Sequence, residues 1–456
     1  MTTSAARHQP RRPTRFRPAP RRVAMAVALT FVVVSAAACG TTSSSSSSGT
    51  GTGTTIGGDT AWLGAFATET LPAPVNTLTD VSCPATLRCW AVGSTVGGAG
   101  APNGAVVLAS TNGGVTWSNQ VIPPEAGYLS RIDCTTRRLC TAVGQEAQTS
   151  DGQAVALGTD DGGTSWVLEP VPATVLDITA LDCRPGGGCL AVGSTAGGAV
   201  ALAADSAVAG WTVLGPLPAG ITGATSLSCT TADDCWATGS RAVDSDHVAG
   251  AVALTTDGGT TWTAVATPKG LGYLNGVSCQ AGPATGSGAL PTTTVPAPTT
   301  TTTAPAAPGA STTATTAPAA TTTTVTTPPA PVVGVAGADC VVVGTTSTTL
   351  NGSRTGQGVL LDTGNGGATW SSPPVGATSA SLAGVSCTTV GSCVVVGTTP
   401  SSSAAAGVIV LSGRTGGPWQ HPAVVSSPQS LTAVACVSLS FCVVVGESIS
   451  EHLAGG

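Results

Sequence analysis

The chain has little charge and few aromatic side chains. Of its 456 residues, 8% are charged and 3% are aromatic, with only two tyrosines, four phenylalanines and four histidines. A single lysine, Lys269, occurs in the whole sequence. So few basic residues exclude an extended nucleic-acid surface, which needs many phosphate contacts from Lys and Arg. So few aromatic rings mean that any core is built mainly from Val, Leu and Ala.

The basic residues that do occur are concentrated at the N-terminus. Seven of the 16 Lys and Arg residues precede Val23, and an apolar run then continues to Cys39. A basic start, an apolar run and small residues at its end are typical of an export signal, so we predict a signal peptide at residues 1–38. Nine basic residues then face 22 acidic ones, a net charge of −13, which argues again against nucleic acid as a partner.

The end of this leader allows two kinds of processing. Ala36-Ala37-Ala38-Cys39 resembles the lipobox of bacterial lipoproteins, although Ala36 stands where that family usually has Leu. The resemblance implies acylation of Cys39 and a tether at residues 39–56, which are rich in Ser, Gly and Thr. Ordinary cleavage after Ala38 is the alternative. We therefore expect an exported protein, on the outer face of the bacterial cytoplasmic membrane or secreted. Sec and twin-arginine export both remain open.

The other 14 cysteines form seven regularly spaced pairs. Six pairs have five residues between them, and nearly every second cysteine begins a short apolar run ending in Gly. The histidines do not follow the pairs, which argues against zinc, and no C-x-x-C redox motif occurs among them. Export favours structural disulfides instead, and we predict no metal and no cofactor. The predicted disulfides are Cys83–Cys89, Cys134–Cys140, Cys183–Cys189, Cys229–Cys235, Cys279–Cys340, Cys387–Cys393 and Cys436–Cys442.

A second motif alternates with the cysteine pairs. Segments such as "STNGGVTW" and "TTDGGTTW" end at Trp117 and Trp262, and the first cysteines recur at spacings of 51, 49, 46 and 50 residues. Such a period indicates a solenoid or a propeller. Each unit contains four short segments rich in Val, Leu, Ile, Thr and Trp, bounded by Gly, Asp, Asn or Pro. The sequence therefore predicts an all-β fold, a β-propeller of four-stranded antiparallel blades.

The ends of the chain bear on how the ring closes. The seventh unit stops at Gly456 before a Trp-containing strand, whereas Gly57–Pro72 resembles an unmatched fourth strand with Trp62 in the Trp position. We predict a seven-bladed propeller at residues 57–456, closed by this N-terminal strand in the last blade. Residues 282–331 are rich in Thr, Pro and Ala and are predicted to be a disordered insertion within blade five.

The Gly-Gly motif carries a resemblance to a known family. "TTDGGTTW" and "TDDGGTSW" resemble the Asp-box, or BNR repeat, of sialidase-type propellers. The chain also resembles exported propellers of the photosystem II stability/assembly-factor-like family. The resemblance implies a propeller fold and a structural role for the box, away from the ligand-binding face. It does not define a function.

Candidate binding residues lie in the loops on the face opposite the cysteines. We predict that ligands bind there, over the central channel. A metal at Asp244, Asp246 and His247 and a stacking platform of tyrosines are open alternatives to a purely structural role. The candidates are Tyr128, Arg241, Asp244, His247, Tyr273 and Arg354.

Two classes of function fit this sequence. The first is a membrane-anchored, non-catalytic propeller that acts as a binding, scaffold or assembly-factor module. Its partner would be an envelope protein or glycan, and we expect a monomer. The second is a glycoside hydrolase of sialidase or xyloglucanase type. We prefer the first, because Arg241 and Arg354 alone cannot supply the three arginines of a sialidase-like site, and no paired acids stand out.

Overall fold

Short Val- and Ala-rich strands account for nearly all regular structure in the computed structural model. It describes residues 34–35, 67–68, 71–72, 75–95, 104–147, 152–185, 188–282, 338–346, 356–375, 381–388, 391–398, 408–414, 417, 419, 430–438 and 441–447. Within these ranges every named element is a β-strand. No helix of the described part is long and apolar enough to span a membrane.

The strands follow one another in units of up to four. They are β1 (Val34–Ser35), β2 (Ala67–Thr68), β3 (Val75–Ala85), β4 (Arg88–Thr95), β5 (Ala105–Ser110), β6 (Ser118–Asn119), β7 (Ala126–Cys134), β8 (Cys140–Glu146), β9 (Ala154–Thr159), β10 (Val167–Leu168), β11 (Val175–Cys183), β12 (Cys189–Thr195), β13 (Gly198–Ala204), β14 (Thr212–Pro216), β15 (Ile221–Cys229), β16 (Cys235–Ala242), β17 (Val248–Thr255), β18 (Thr263–Val265), β19 (Leu274–Ala281), β20 (Ala338–Thr345), β21 (Gly358–Thr363), β22 (Ser381–Cys387), β23 (Ser392–Thr398), β24 (Val408–Arg414), β25 (Ser430–Ser438) and β26 (Phe441–Glu447).

A disulfide-bonded hairpin begins each unit. All seven predicted cysteine pairs are bonded, with Cα–Cα distances of 4.0–4.2 Å. Seven such bonds suggest an oxidising environment, such as the cell exterior. We number the hairpins one to seven in chain order, and a blade takes the number of its hairpin. The hairpins are β3–β4, β7–β8, β11–β12, β15–β16, β19–β20, β22–β23 and β25–β26.

The sheets are those of a β-propeller with four-stranded antiparallel blades, but their number differs from the prediction. Backbone pairing separates five blades, blades two to six, with four strands in three of them and three strands in two. Hairpins one and seven lie together in one eight-stranded sheet, because Glu447 of β26 pairs with Thr77 of β3. Seven separate sheets are therefore not observed. A single bridge between two neighbouring hairpins is the physical reason.

The first strand of each hairpin contains a bulge that explains the repeated glycine. Register shifts interrupt the pairing of β7 with β8 between Leu129 and Arg131, and similar shifts recur in the other hairpins. The bulge brings a carbonyl of the first strand over the second. A Cβ on Gly144 would lie 2.0 Å from the Tyr128 carbonyl oxygen. The Gly that ends "CTAVG" is therefore required by close backbone approach.

The Gly-Gly motif forms a turn between the third and fourth strands. In blade four the Thr255 hydroxyl accepts from the Gly259 N–H at 2.9 Å, and the Asp257 carboxylate accepts from the Thr261 N–H at 2.8 Å. Gly258 and Gly259 have φ of 70° and 95°, which Gly tolerates best. The same pattern surrounds Asn112, Asp161 and Asn365. The motif thus builds a self-contained turn.

The core lies between neighbouring blades. Trp90 of blade one packs with Leu129 and Ile132 of blade two, and Trp236 of blade four packs with Leu274 of blade five. Both indole side chains are fully buried. Val, Leu and Ala fill most of the remaining core, as the scarcity of aromatic residues requires.

The predicted domain borders fall mostly outside the described residues. Residues 1–33, the tether at 39–56 and Trp62 are not described, and the insertion at 282–331 is described only at residue 282. β19 ends at Ala281 and β20 begins at Ala338, so the repeat resumes in register across that gap. At the N-terminus, β2 lies within Gly57–Pro72 and pairs with β1, which pairs in turn with β26.

Candidate functional site

The predicted binding residues lie in three different blades. Tyr128 is on β7 of blade two and is 40% exposed, and Arg241 is on β16 of blade four and is exposed. Tyr273 directly precedes β19 of blade five and is half-buried. Arg354 lies outside the described residues. The structure therefore spreads these side chains around the ring.

Asp244 and His247 are the predicted residues that do meet. They lie in the loop between β16 and β17, where His247 Nδ1 is 2.8 Å from a carboxylate oxygen of Asp244. The same carboxylate accepts from the backbone N–H groups of Asp246 and His247 at 2.9 and 2.8 Å. These bonds, led by the one from Asp246, lower the pKa of Asp244. The carboxylate is thus used to fold its own loop.

The part of the chain that the structure describes holds no group of three or more side chains arranged for a metal ion. Hydrogen bonds within the loop account for the three potential ligands, since Ser245 donates to Asp246 and the His247 ring bonds to Asp244. A metal at this loop therefore finds no support from additional ligands among the described residues.

Side chains that sequence reasoning missed cap the inner strands. In hairpins two to seven the described strands pair with the first strand on one side only, and the backbone N–H and C=O groups of such an edge need other hydrogen-bond partners. The residue before a cysteine accepts a hydrogen bond from the cysteine N–H of the next hairpin. Ser82 caps Cys134, Asp133 caps Cys183, Asp182 caps Cys229, Ser228 caps Cys279, Ser278 caps Cys387 and Ser386 caps Cys436, at 2.7–3.1 Å.

A second set of caps covers the carbonyl groups of the same edges. Thr79 of hairpin one donates to the Leu129 carbonyl of hairpin two at 2.7 Å. Similar bonds lead from Ser130, Thr179, Thr225 and Asn275 to the next hairpin. Thr432 of hairpin seven donates to the Leu78 carbonyl of hairpin one at 2.7 Å, so the first and last hairpins are neighbours. The chain thus links inner strands with short polar side chains.

The first strands of blades one to three carry a group of charged side chains. These are Asp80 on β3, Arg131 and Asp133 on β7, and Asp182 on β11. Burial raises the pKa of Asp80 to about 6. Burial, and then the charge of Asp133, raise the pKa of Asp182 to about 8. The Arg131 guanidinium donates to its neighbour's carbonyl, that of Ser130, and also reaches the Thr225 carbonyl of blade four. A neighbouring carboxyl pair with raised pKa values is one element of general acid chemistry.

An uncharged groove opens at the opposite end of blade three. It has a volume of about 570 Å³ and lies where the loop between β12 and β13 turns, the end at which the sequence predicts ligand binding. Leu176 and Val213 are 37% and 41% exposed in it. Every strand of blade three contributes to the lining, which consists of Ala173, Thr174, Leu176, Thr195, Ala196, Gly197, Val200 and Val213.

The sequence held a signal for the caps but not for the groove. The caps occupy a fixed position, one residue before the first cysteine of a pair, where Ser or Asp recurs. The groove depends on how one blade packs beside the connection from its neighbour. The repeat does not mark it, because lining residues such as Val200 and Thr195 recur at the same places in other blades, as Val106 and Thr95.

Comparison with known proteins does not identify a family for this chain. No protein-family model matches the chain, and no curated protein matches it. A structure of YCF48 bound to a D1 peptide aligns with a TM-score of 0.47 and 13% identity, over 83% of this chain and 92% of that one. The GH74 xyloglucanase from Xanthomonas campestris aligns with a TM-score of 0.41 and 12% identity, over 75% of this chain and 46% of that one. The Hadza microbial sialidase Hz136 aligns with a TM-score of 0.41 and 11% identity, over 82% of this chain and 66% of that one. These neighbours include both a peptide-bound protein and glycoside hydrolases, so they do not separate the two classes of function.

Proposed function

We propose that this chain is an exported, non-catalytic propeller that binds an extended apolar segment of an envelope protein in the groove of blade three. The groove itself carries the proposal. Its lining contains no titratable side chain, and apolar walls with a few polar groups are typical of binding sites. Such a lining offers a peptide burial and backbone contacts, but offers no acid or base.

The structural use of the carboxylates supports a non-catalytic function. Asp133 and Asp182 cap backbone N–H groups at positions where Ser228 and Ser278 serve the same purpose. A carboxylate that serine replaces in an equivalent blade has a structural explanation. Asp161 and Asp257 are likewise bonded within their own turns.

The proposal includes seven blades in one closed ring. Its support is the seven disulfide-bonded hairpins and the bond from Thr432 to the Leu78 carbonyl. In the full chain, before the leader is removed, the eight-stranded sheet then consists of two blades joined by the Glu447–Thr77 bridge, with β1 and β2 on the outer side of the last one. The proposal also takes the Gly-Gly turns to be copies of the Asp-box.

The proposed cellular location rests on the predicted leader and the disulfides. The leader at residues 1–38 is removed, Cys39 carries a lipid on the outer face of the cytoplasmic membrane, and the propeller acts as a monomer. The mass of the N-terminal peptide from purified membranes tests this directly. An acylated Cys39 is expected, and a peptide that begins before residue 39 would contradict the assignment.

Substitutions in the groove test the binding function. Leu176→Asp and Val213→Asp each place a charge in the apolar lining, so they should weaken binding to an array of extended apolar decapeptides at least tenfold. Val167→Asp is the matched control, because Val167 is 45% exposed on blade two and does not line the groove. Equal binding by all three variants would contradict the proposed site.

The glycoside hydrolase remains the second candidate, because Asp133 and Asp182 are neighbouring carboxyls with raised pKa values. Hydrolysis of a panel of aryl glycosides by the purified protein tests it. Activity that is lost in both Asp133→Asn and Asp182→Asn would favour the hydrolase. Absence of turnover by the native protein, together with retained peptide binding by both variants, would favour the binding function.

A further inference from the structure

Two residues of the predicted leader lie in the sheet of hairpin seven. Val34 pairs with Val444 and Ser35 with Val443, both antiparallel on the outer side of β26. β2 pairs with Val34 and Ser35 of β1, and among the described pairs β1 is what connects β2 to this sheet. The leader thus occupies the position of a third strand in the last blade.

The other six hairpins show what this position requires. Their third strands pair with the second strand over six to eight residues, whereas β1 supplies two. Val444 lies two residues after the second cysteine of its pair. In the other six blades the residue at this place is paired with a leucine of the third strand five times and with Ala253 once. These leucines are Leu108, Leu157, Leu202, Leu361 and Leu411.

A short pattern follows that leucine. In blade one it is Leu108-Ala109-Ser110, and in blade two Leu157-Gly158-Thr159. Leu108 and Leu157 are fully buried, and the hydroxyls of Ser110 and Thr159 accept from the backbone of the following Gly-Gly turn. In blades one and two the third position thus holds a large apolar residue, a small residue and then a hydroxyl residue, and the other four blades keep only part of this pattern.

At two spacings taken from other blades, the residues that remain after removal of the leader do not supply the leucine. The β12–β13 connection places Leu202 nine residues after Gly193, and the same connection after Gly446 would place Gly455 there. Leu108 precedes Trp117 by nine residues, and the same spacing before Trp62 gives Gly53. Glycine has no side chain with which to fill the position of a buried leucine.

We propose that removal of the leader opens the outer edge of β26 as an acceptor for a strand from a partner protein. This inference rests on the leader removal stated under the proposed function. Alternate residues of β26 face this edge, so the N–H and C=O groups of Val444 bind the incoming backbone by strand addition, whereas those of Val443 and Val445 face β25. The side chains of these valines are fully buried, so the edge is held rigidly by the core. The partner segment places Leu or Val opposite Val444, a small residue opposite Val443 and Ser or Thr opposite Cys442.

Hydrogen exchange tests the open edge. The full chain and the exported form purified from membranes are compared at the backbone amide of Val444, with the amides of Val443 and Val445, which face β25, as internal controls. We expect the Val444 amide to exchange at least tenfold faster in the exported form and the two control amides to change little. The probe is the synthetic peptide AVVLAS, the sequence of β5, and AVVDAS is its matched control. AVVLAS should restore slow exchange and raise the melting temperature, whereas AVVDAS should do neither.

The outcomes separate this inference from the proposed function. Slow exchange in an exported form that begins at Cys39 would overturn the inference alone, because residues 40–66 would then fill the edge. A leader retained in the exported protein would overturn both. A dimer of the exported form without peptide would assign the edge to a second copy instead of a partner. The full-length variant Val34→Pro, which removes the β1 pairing without truncation, should reproduce the fast exchange.

Discussion

Glu169 lies buried between blades two and three, and its replacement by glutamine gives a sharp test of the packing between blades. Its side chain is 4% exposed, and one carboxylate oxygen accepts from the Trp211 indole N–H at 2.5 Å. The other oxygen has no hydrogen-bond partner. Burial raises the pKa of Glu169 from 4.5 to about 8. Glu169→Gln keeps an acceptor for Trp211 and removes the ionisation.

The direction of the effect follows from the raised pKa. Between about pH 4.5 and 8 the folded protein holds a proton on Glu169 that the unfolded chain releases, so its stability falls as the pH rises through this window. A pKa difference of about 3.5, at about 1.36 kcal/mol per pKa unit, sets a ceiling of about 5 kcal/mol. Relaxation around the charge lowers this, and we expect about 1–3 kcal/mol. No charged neighbour contributes to the raised pKa, so the effect belongs to Glu169 itself.

Urea unfolding of the disulfide-intact protein at pH 4.5, 6, 7 and 8.5 measures this difference. Wild type and Glu169→Gln should be equally stable at the lowest pH, and the variant should be the more stable protein at pH 8.5. The control is Gln120→Glu, because Gln120 bonds to β5 as Glu169 bonds to β9 and lies beside the Trp166 indole near Gly163. That variant should acquire a smaller pH dependence, since Gln120 is only half-buried. Parallel stability curves for wild type and Glu169→Gln would refute the reasoning.

Three further sets of variants test the caps, the disulfides and the glycines of the hairpins. Asp182→Ser should leave the free energy of unfolding nearly unchanged or raised at pH 7, whereas Asp182→Ala should lower it by about 1–3 kcal/mol in urea unfolding, because the Cys229 N–H loses its acceptor. Removal of the Cys279–Cys340 bond should cost about 4 kcal/mol against about 2 kcal/mol for Cys83–Cys89, because it closes a longer loop; equal losses in thermal unfolding would contradict the entropic account. Gly144→Ala should lower stability by about 1–3 kcal/mol through its contact with a backbone carbonyl, while Gly223→Ala, which meets nothing within 4 Å, should be nearly neutral by calorimetry.

The repeat made much of the fold predictable, because a repeated residue has one structural role many times. The cysteine spacing predicted the seven bonds, since paired residues across a short hairpin lie close enough to join. The sequence could not predict that Arg131 reaches the Thr225 carbonyl of blade four, because that contact crosses the ring between units distant in sequence. Nor could it predict the pairing of Val34 with Val444, since an export signal and a buried strand share the same apolar composition.

The two ends of the propeller differ in how freely they can vary. At the cysteine end, disulfides and Gly-Gly turns fix each unit, and the caps from Ser82 and Asp133 tie it to the next one. A change there disturbs two blades at once.

At the opposite end, the Asp244 loop is satisfied by its own residues, and the groove is lined by blade three and the connection that leads into it. Side chains at that end can change without loss of the ring. Loops on a rigid scaffold are where binding specificity usually develops. Under the proposed function, the partner is selected by this end of the propeller, which the repeat leaves unspecified, and the repeat therefore indicates the fold without indicating the partner.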